Sequence, residues 1–215
     1  KVSTDLIFKM SKLNILTKAN IINLINNKNS LKGNVLIKQD KNRITAIFDY
    51  KDNEINIYKS NLKNTFLDGK LEGKITLSPY FNFNLDIDLN SVNFTRLYNN
   101  FLSLDENKQK NFFKTSNKIN GKLNLTSEKI YSSYNLIKSL ESRIQLNNGN
   151  IIIDQLLLNF GKLGAADVLG TIGKDKKFSS FKFESNIFVD NQKKFLNKFG
   201  IYNKKNIPSN LFIAG

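Results

Sequence analysis

The sequence predicts a mainly β protein, an elongated array of antiparallel strands in repeated hairpin units with short amphipathic helices. Two observations lead to this prediction. Apolar and polar residues alternate along most of the chain, which is typical of strands with one buried and one solvated face. A layout of strand, loop and strand also occurs twice, and self-similarity at a long period is typical of modular, elongated proteins.

The clearest strand spans residues 81–89. Asn, Asn, Asp and Asp separate its apolar residues, which are Phe81, Phe83, Leu85, Ile87 and Leu89. A second apolar stripe spans residues 151–160, where a β-bulge is expected between its two halves. Its members are Ile151, Ile153, Leu156, Leu158 and Phe160. Turn signals predict hairpins at Gln39-Asp40-Lys41-Asn42, Lys51-Asp52-Asn53, Ser78-Pro79 and Asn147-Asn148-Gly149.

The repeat relates residues 55–101 to residues 146–201. Gly73 and Gly170 hold equivalent places in this comparison, 97 residues apart. A second pair of similar segments, 31–37 and 119–125, lies at an offset of 88 residues. We find no convincing domain boundary, so residues 1–215 are predicted to form one continuous β-rich array. Its approximate repeat units are 31–101 and 119–201.

Short helices are predicted between the blocks of strands, because apolar residues recur there at helical spacing after a capping residue. The predicted helices span residues 18–27, 93–101, 106–114, 128–140 and 191–199. Each is expected to pack on the sheet. The polar segment 103–118 is also expected to fold back on the sheet, through Phe112 and Phe113. The chain begins with Lys1 rather than Met and ends in a strand-like run, so we expect a piece of a longer protein.

Composition argues against catalysis. The chain has no Cys, no His and no Trp, which removes thiol nucleophiles, histidine bases and the usual zinc ligands. Asp86 and Asp88 are the plausible carboxylate pair, but they lie side by side on one strand face rather than across a cleft. The glycines at 161–173 lack the Gly-Lys-Ser/Thr ending of a phosphate loop. We therefore predict a non-enzyme with no metal and no cofactor.

The net charge of +15 suggests an anionic partner. Arg43, Arg96 and Arg143 are the only arginines among 33 basic residues, although arginine is the favoured reader of bases and phosphates. The lysine excess therefore indicates a coding bias spread over solvated surfaces, and we expect no nucleic-acid partner. An anionic membrane surface could still use this charge.

A DNA-binding measurement tests this interpretation of the charge. If the lysines are scattered, binding to duplex DNA should be weak and should disappear by about 0.2 M salt, because few phosphates are neutralised together. Fluorescence anisotropy with a labelled duplex checks it. A tight, salt-resistant and sequence-selective complex would contradict it.

The apolar stripes allow two structures. They could form the inside of a closed β-sandwich, as in a structural or adhesion-type module. They could instead line an open groove that holds apolar ligands. The alternation is the same in both cases, so it does not choose between them.

The order of the motifs resembles the C-terminal region of the AsmA-like family, TamB among its relatives. The resemblance covers residues 31–201 and rests on four segments: Gly-Lys-Leu-Asn-Leu at 121–125, the run at 143–172, the strand at 181–195 and the strand-to-helix segment at 90–101. In that family, Gly-bearing strands recur in this order and a short helix closes each unit.

The resemblance implies a taco-like β-groove with an apolar lining in a periplasmic protein of the bacterial envelope, anchored in the inner membrane by an N-terminal helix outside this chain. It implies binding of phospholipid acyl chains for transport to the outer membrane and for outer-membrane biogenesis, without catalysis. The ten residues of the two stripes would then line the groove. No stretch of the sequence is long and apolar enough for a membrane-spanning helix.

Overall fold

A computed structural model describes residues 2–11, 14–23, 30–111, 116–133, 135–174, 179–202 and 210–215. The strands in chain order are β1 (Val2–Met10), β2 (Ile15–Asn23), β3 (Ser30–Gln39), β4 (Asn42–Lys51), β5 (Glu54–Lys63), β6 (Leu67–Thr76), β7 (Asn82–Asn93), β8 (Asn120–Ser127), β9 (Ile130–Tyr131), β10 (Ser139–Asn147), β11 (Asn150–Asn159), β12 (Gly164–Lys174), β13 (Ser179–Val189) and β14 (Leu211–Ala214). The helices are α1 (Phe94–Leu102), α2 (Glu106–Asn111) and α3 (Gln192–Lys198), with a 3₁₀ turn at Gly161–Leu163.

In the described part of the chain, the strands form one open sheet whose edges are β1 and β14. Strands β1 to β7 follow one another as an antiparallel meander, and β8, β10, β11, β12, β13 and β14 form a second one. The mainly β, antiparallel prediction is thereby confirmed. A single open sheet also excludes the closed sandwich that the stripes left possible.

The two meanders join in parallel, which the alternation did not predict. Strand β8 lies beside β7 and runs in the same direction, with Asn82 opposite Asn120 and Leu89 opposite Ser127. The short strand β9 also pairs in parallel with β7. The connection contains α1 and α2 and brings the chain back to the start of β7. Parallel neighbours need such a crossover, whereas hairpin partners do not.

Two hairpins have the turn geometry that their sequences predict. Asp52 and Asn53 have φ angles of 50° and 64°, and Asn148 and Gly149 have φ angles of 50° and 85°. Two consecutive positive φ angles match the right-handed twist of the flanking strands. These turns fix the register of β4 with β5 and of β10 with β11.

Burial is concentrated at one end of the strands, where α1 follows β7 and α3 follows β13. We call this the closed end, and the opposite end of the strands the open end. In the described residues, the buried apolar side chains are Leu89, Val92, Ile130, Leu140, Phe160, Ala166, Val189 and Phe195. All of them lie at the closed end of the sheet or on α3.

The accessible surface also indicates a thin molecule. It measures 15227 Å². A compact monomer of 24.6 kDa would expose about 10,100 Å². The excess of about one half is expected for a sheet of which much of both faces remains accessible.

Three of the predicted helices are present and two are wrong. Helices α1, α2 and α3 match the predictions at 93–101, 106–114 and 191–199, although 112–115, with Phe112 and Phe113, lie outside the described residues. Residues 18–23 belong to strand β2 instead, and 24–29 lie outside the described residues. The prediction rested on the spacing of apolar residues such as Ile21 and Ile22. β-branched residues are more common in strands, because they pack well on a pleated sheet.

The predicted helix at 128–140 is also wrong. Residues 130–131 form β9 and residues 139–140 begin β10, and residue 134 lies outside the described residues. Ser127, which directly precedes this segment, donates its hydroxyl hydrogen to the carbonyl of Lys129 at 3.3 Å. The backbone N–H of Ile130 donates to the carbonyl of Lys138 at 3.0 Å. On the other side, the backbone N–H of Val92 in β7 donates to the carbonyl of Lys129 at 2.9 Å. The backbone of this segment is therefore hydrogen-bonded to β7 and to the residue before β10 instead of within a helix.

Candidate functional site

The two predicted stripes lie on the same face of the sheet, which we call the apolar face. Strands β8 and β10 separate β7 from β11, and residues directly opposite each other point to the same side. Four rows of paired residues cross these strands: Phe83, Gly121, Leu146, Ile151; Leu85, Leu123, Ile144, Ile153; Ile87, Leu125, Ser142, Leu156; and Leu89, Ser127, Leu140, Leu158. The stripes thus belong to one continuous surface.

The bulge that the sequence predicts in the second stripe is present. The register of β11 with β12 shifts between Ile153 and Leu156, and its register with β10 shifts beside Ile144. The extra residue lets Leu156 and Leu158 return to the side on which Ile151 and Ile153 lie.

The apolar face continues beyond the predicted stripes. On one side it extends through Leu71 and Ile75 of β6, Ile55 and Ile57 of β5, and Phe48 and Tyr50 of β4, all in register with β7. On the other side it extends through Val168 and Ile172 of β12 to Phe183 and Ile187 of β13. These residues also alternate with polar ones in the sequence, but they were not predicted as part of the site.

Exposure of the apolar face rises from the closed end to the open end. On β7, Leu89 is 4% exposed, Phe83, Leu85 and Ile87 are half-buried, and Phe81 is 39% exposed. The same gradient occurs on β13, from buried Val189 to exposed Phe183 and Phe181. All members of the second stripe before Phe160 are half-buried. The face is therefore accessible along most of its length.

The closed end is sealed by an aromatic cluster beneath α3. Phe160 and Phe195 pack with ring centroids 5.9 Å apart, against Ala166 and Val189. The side-chain oxygen of Asn191 accepts a hydrogen bond from the backbone N–H of Lys194 at 3.0 Å, which caps the helix. Phe160, predicted as a lining residue, is thus part of the core rather than of the accessible face.

Glycines make room for aromatic rings across neighbouring strands. A Cβ atom at Gly121 would lie 2.6 Å from the ring of Phe83, and one at Gly33 would lie 2.9 Å from the ring of Phe48. Gly33 and Gly121 are the glycines of the repeat with the offset of 88. The ring occupies the volume that a side chain would need, so aromatic carbon covers the glycine backbone.

Both glycines of the longer repeat lie in strands and face an apolar residue of the next strand. Gly73 of β6 lies opposite Leu85 of β7, and Gly170 of β12 lies opposite Phe183 of β13. Gly69 and Gly164 are placed in the same way, opposite the buried residues Leu89 and Val189.

The opposite face of the sheet is polar at β7 and β8, and its charges are mixed, whereas Ile47, Leu169 and Phe188 are exposed apolar residues on it elsewhere. Asn124 donates a hydrogen bond to Asp86 at 2.7 Å, and Thr126 donates one to Asp88 at 3.0 Å. These two carboxylates therefore tie β7 to β8. Lys74 lies 2.6 Å from Glu54 in an ion pair between β6 and β5.

A pKa shift occurs at the exposed start of α2. The hydrogen bond from the Lys108 side chain lowers the pKa of Asp105, and the same contact raises the pKa of Lys108. The backbone N–H of Lys108 also donates to Asp105 at 2.9 Å, as expected of a helix cap. Both contacts lie within the first turn of α2.

Helix α1 borders an apolar cavity that the sequence analysis did not single out as a site. The cavity measures about 710 Å³ and is lined by Phe66, Phe94, Leu97, Tyr98, Asn100, Phe101 and Leu104. The spacing of the aromatic and leucine residues on α1 was the signal for it. Phe66 comes from the β5–β6 loop, which alternation could not place next to α1.

In the described residues, no helix is long and apolar enough to cross a membrane. No group of three or more metal-binding side chains occurs within them either. No protein-family model matches the chain, and neither the curated proteins nor the solved structures contain a significant match. Function is therefore inferred from the geometry of the apolar face.

Proposed function

We propose that this chain is a non-catalytic segment of an AsmA-like protein and that its apolar face binds lipid acyl chains. One observation supports this most. The apolar face runs continuously across the sheet, yet most of its side chains are only half-buried, and the sheet is open. An accessible apolar surface of this extent on a soluble domain indicates a binding surface.

The dimensions of the apolar face suit a lipid tail. The stripe from Phe81 to Leu89 spans about 26 Å at about 3.3 Å per residue. The hydrocarbon of one membrane leaflet is about 15 Å thick, half of the bilayer core. A tail can therefore lie along a strand without reaching the closed end. Each buried CH₂ group would contribute about 0.8 kcal/mol.

The continuity of the face suits transport as well as binding. A lipid that moves across the sheet along the row of Leu85, Leu123, Ile144 and Ile153 meets apolar side chains on successive strands, so its tails need not return to water. In this proposal the ligand is a phospholipid, and the full-length protein is periplasmic and anchored in the inner membrane. It carries lipid towards the outer membrane.

Binding of a fluorescent fatty acid tests this function directly. Purified protein should increase the fluorescence of cis-parinaric acid with a saturable, stoichiometric curve, because the probe enters an apolar environment. Mass spectrometry of the protein under native conditions should also detect co-purified phospholipid. Carbonic anhydrase at the same concentration serves as the non-binding control.

The alternative is a structural or adhesion-type module that binds no lipid. Absence of both probe binding and co-purified lipid would favour this module. The half-buried stripes would then be covered by another protein surface rather than by acyl chains.

A further inference from the structure

The apolar face ends in an exposed cluster at the open end of β7 and β8. We call Leu77, Tyr80, Phe81 and Ile119 the tip. Asn82 pairs with Asn120, so Phe81 and Ile119, which precede them, lie side by side at the ends of these two strands. All four side chains are exposed, and Tyr80 is the most exposed at 80%.

The tip is held in place by backbone hydrogen bonds. The N–H of Leu77 donates to the carbonyl of Asn53 at 2.8 Å, which fixes one side of the loop 77–81. The N–H of Ile119 donates to the carbonyl of Ser116 at 3.0 Å, which closes the turn on the other side. The apolar side chains are therefore presented to solvent by an ordered support.

Charge next to the tip favours an anionic partner. The loop 77–81 carries no charge, and the segment 116–122 carries Lys118 and Lys122 but no acidic residue. The acidic residues of the neighbouring turn, Asp52 and Glu54, are ion-paired with Lys51 and Lys74. Both lysines are exposed. The whole chain has a net charge of +15. Aromatic side chains beside lysines are the composition that binds at the interface of an anionic bilayer.

We propose that the tip docks on the surface of an anionic phospholipid membrane and that lipid tails pass from there onto the apolar face. The stripe on β7 begins within the tip, since Phe81 and Phe83 share one face with ring centroids 6.4 Å apart. A tail that leaves the bilayer beside Tyr80 would meet Phe81 first. This inference rests on the proposed function, because it names the place where lipid enters.

Vesicle flotation tests the docking. Wild-type protein should float with vesicles of equal parts phosphatidylglycerol and phosphatidylcholine but not with pure phosphatidylcholine. Binding should weaken at 1 M salt, where the Debye length is about 3 Å. Loss of one cation near an anionic surface lowers the partition coefficient about fivefold. Lys118→Glu should lower it further, because the membrane also repels the new carboxylate. Tyr80→Ser should lower it too, because the aromatic anchor is lost.

Matched variants at the closed end serve as controls. Tyr202 is 77% exposed, nearly the same as Tyr80, and follows α3. Lys162 is exposed in the 3₁₀ turn. Tyr202→Ser and Lys162→Glu should float like the wild type. The docking proposal is wrong if a tip variant and its control lose vesicle binding equally. It is also wrong if the tip variants bind vesicles like the wild type.

Capture of cis-parinaric acid without vesicles separates this inference from the proposed function. Tip variants should capture the probe like the wild type while losing vesicle binding. If no variant captures the probe but the tip still binds vesicles, the proposed function fails and the docking surface remains. If Tyr80→Ser instead abolishes self-association in the absence of vesicles, the tip is a protein interface and the membrane proposal is wrong.

Discussion

Gly164→Ala is expected to lower the free energy of unfolding by about 3–5 kcal/mol. Gly164 begins β12 with φ 133° and ψ −154°, a conformation that only glycine adopts readily. A Cβ atom there would lie 1.9 Å from the carbonyl oxygen of Phe188 on the next strand. Because the obstacle is backbone, β12 and β13 would have to separate next to the buried Val189.

Urea unfolding followed by circular dichroism measures the effect. Gly173→Ala, on the same strand, is the matched control, since its Cβ atom would have no contact shorter than 3.4 Å. Gly200→Ala separates the two causes, because Gly200 has φ 73° but no atom within 4 Å of the new Cβ. We expect little change for Gly173→Ala and about 1 kcal/mol for Gly200→Ala. If Gly164→Ala lowers the free energy of unfolding no more than Gly200→Ala does, then β12 and β13 can separate at Gly164 at little cost.

Strand positions and faces could be predicted because alternation depends on local burial. The spacing of Phe81 to Leu89 identified β7, and the Asn148-Gly149 signal identified the turn after β10. Pairing could not be predicted in the same way. Nothing in the residues of β7 indicates that β8 lies beside it in parallel, because that depends on the path of α1 and α2.

That the sheet is open could not be predicted from the sequence either. A strand in a sandwich and a strand in an open sheet have the same period of two. The difference is whether a second layer covers Leu85 or Ile153, and that depends on contacts far apart in the chain. Phe160 illustrates the same limit, since it continues the stripe of Leu156 and Leu158 but is buried by Phe195 of α3.

Aspartate substitutions along β7 should separate lipid capture from folding. Leu85 is half-buried in the accessible part of the apolar face, whereas Leu89 is 4% exposed at the closed end. Leu85→Asp should abolish most probe capture, because an unpaired carboxylate among acyl chains is costly. It should lower the free energy of unfolding by about 1 kcal/mol, since this carboxylate can still reach water. Ile153 of β11 lies in the same row as Leu85. Ile153→Asp should therefore have the same effects on probe capture and on the free energy of unfolding.

Leu89→Asp should instead unfold the protein, with a loss of about 4 kcal/mol or more, because its carboxylate would be buried without a partner. Asn84→Asp is the matched control for charge. It places the same carboxylate on the polar face of β7, opposite Lys74 and Lys122, and should change neither property. Melting temperature and cis-parinaric acid binding, measured on the same samples, give both results. If Leu85→Asp destabilises as much as Leu89→Asp, then Leu85 belongs to a core. A stable Leu85→Asp protein that captures the probe like the wild type would show that the tails bind elsewhere.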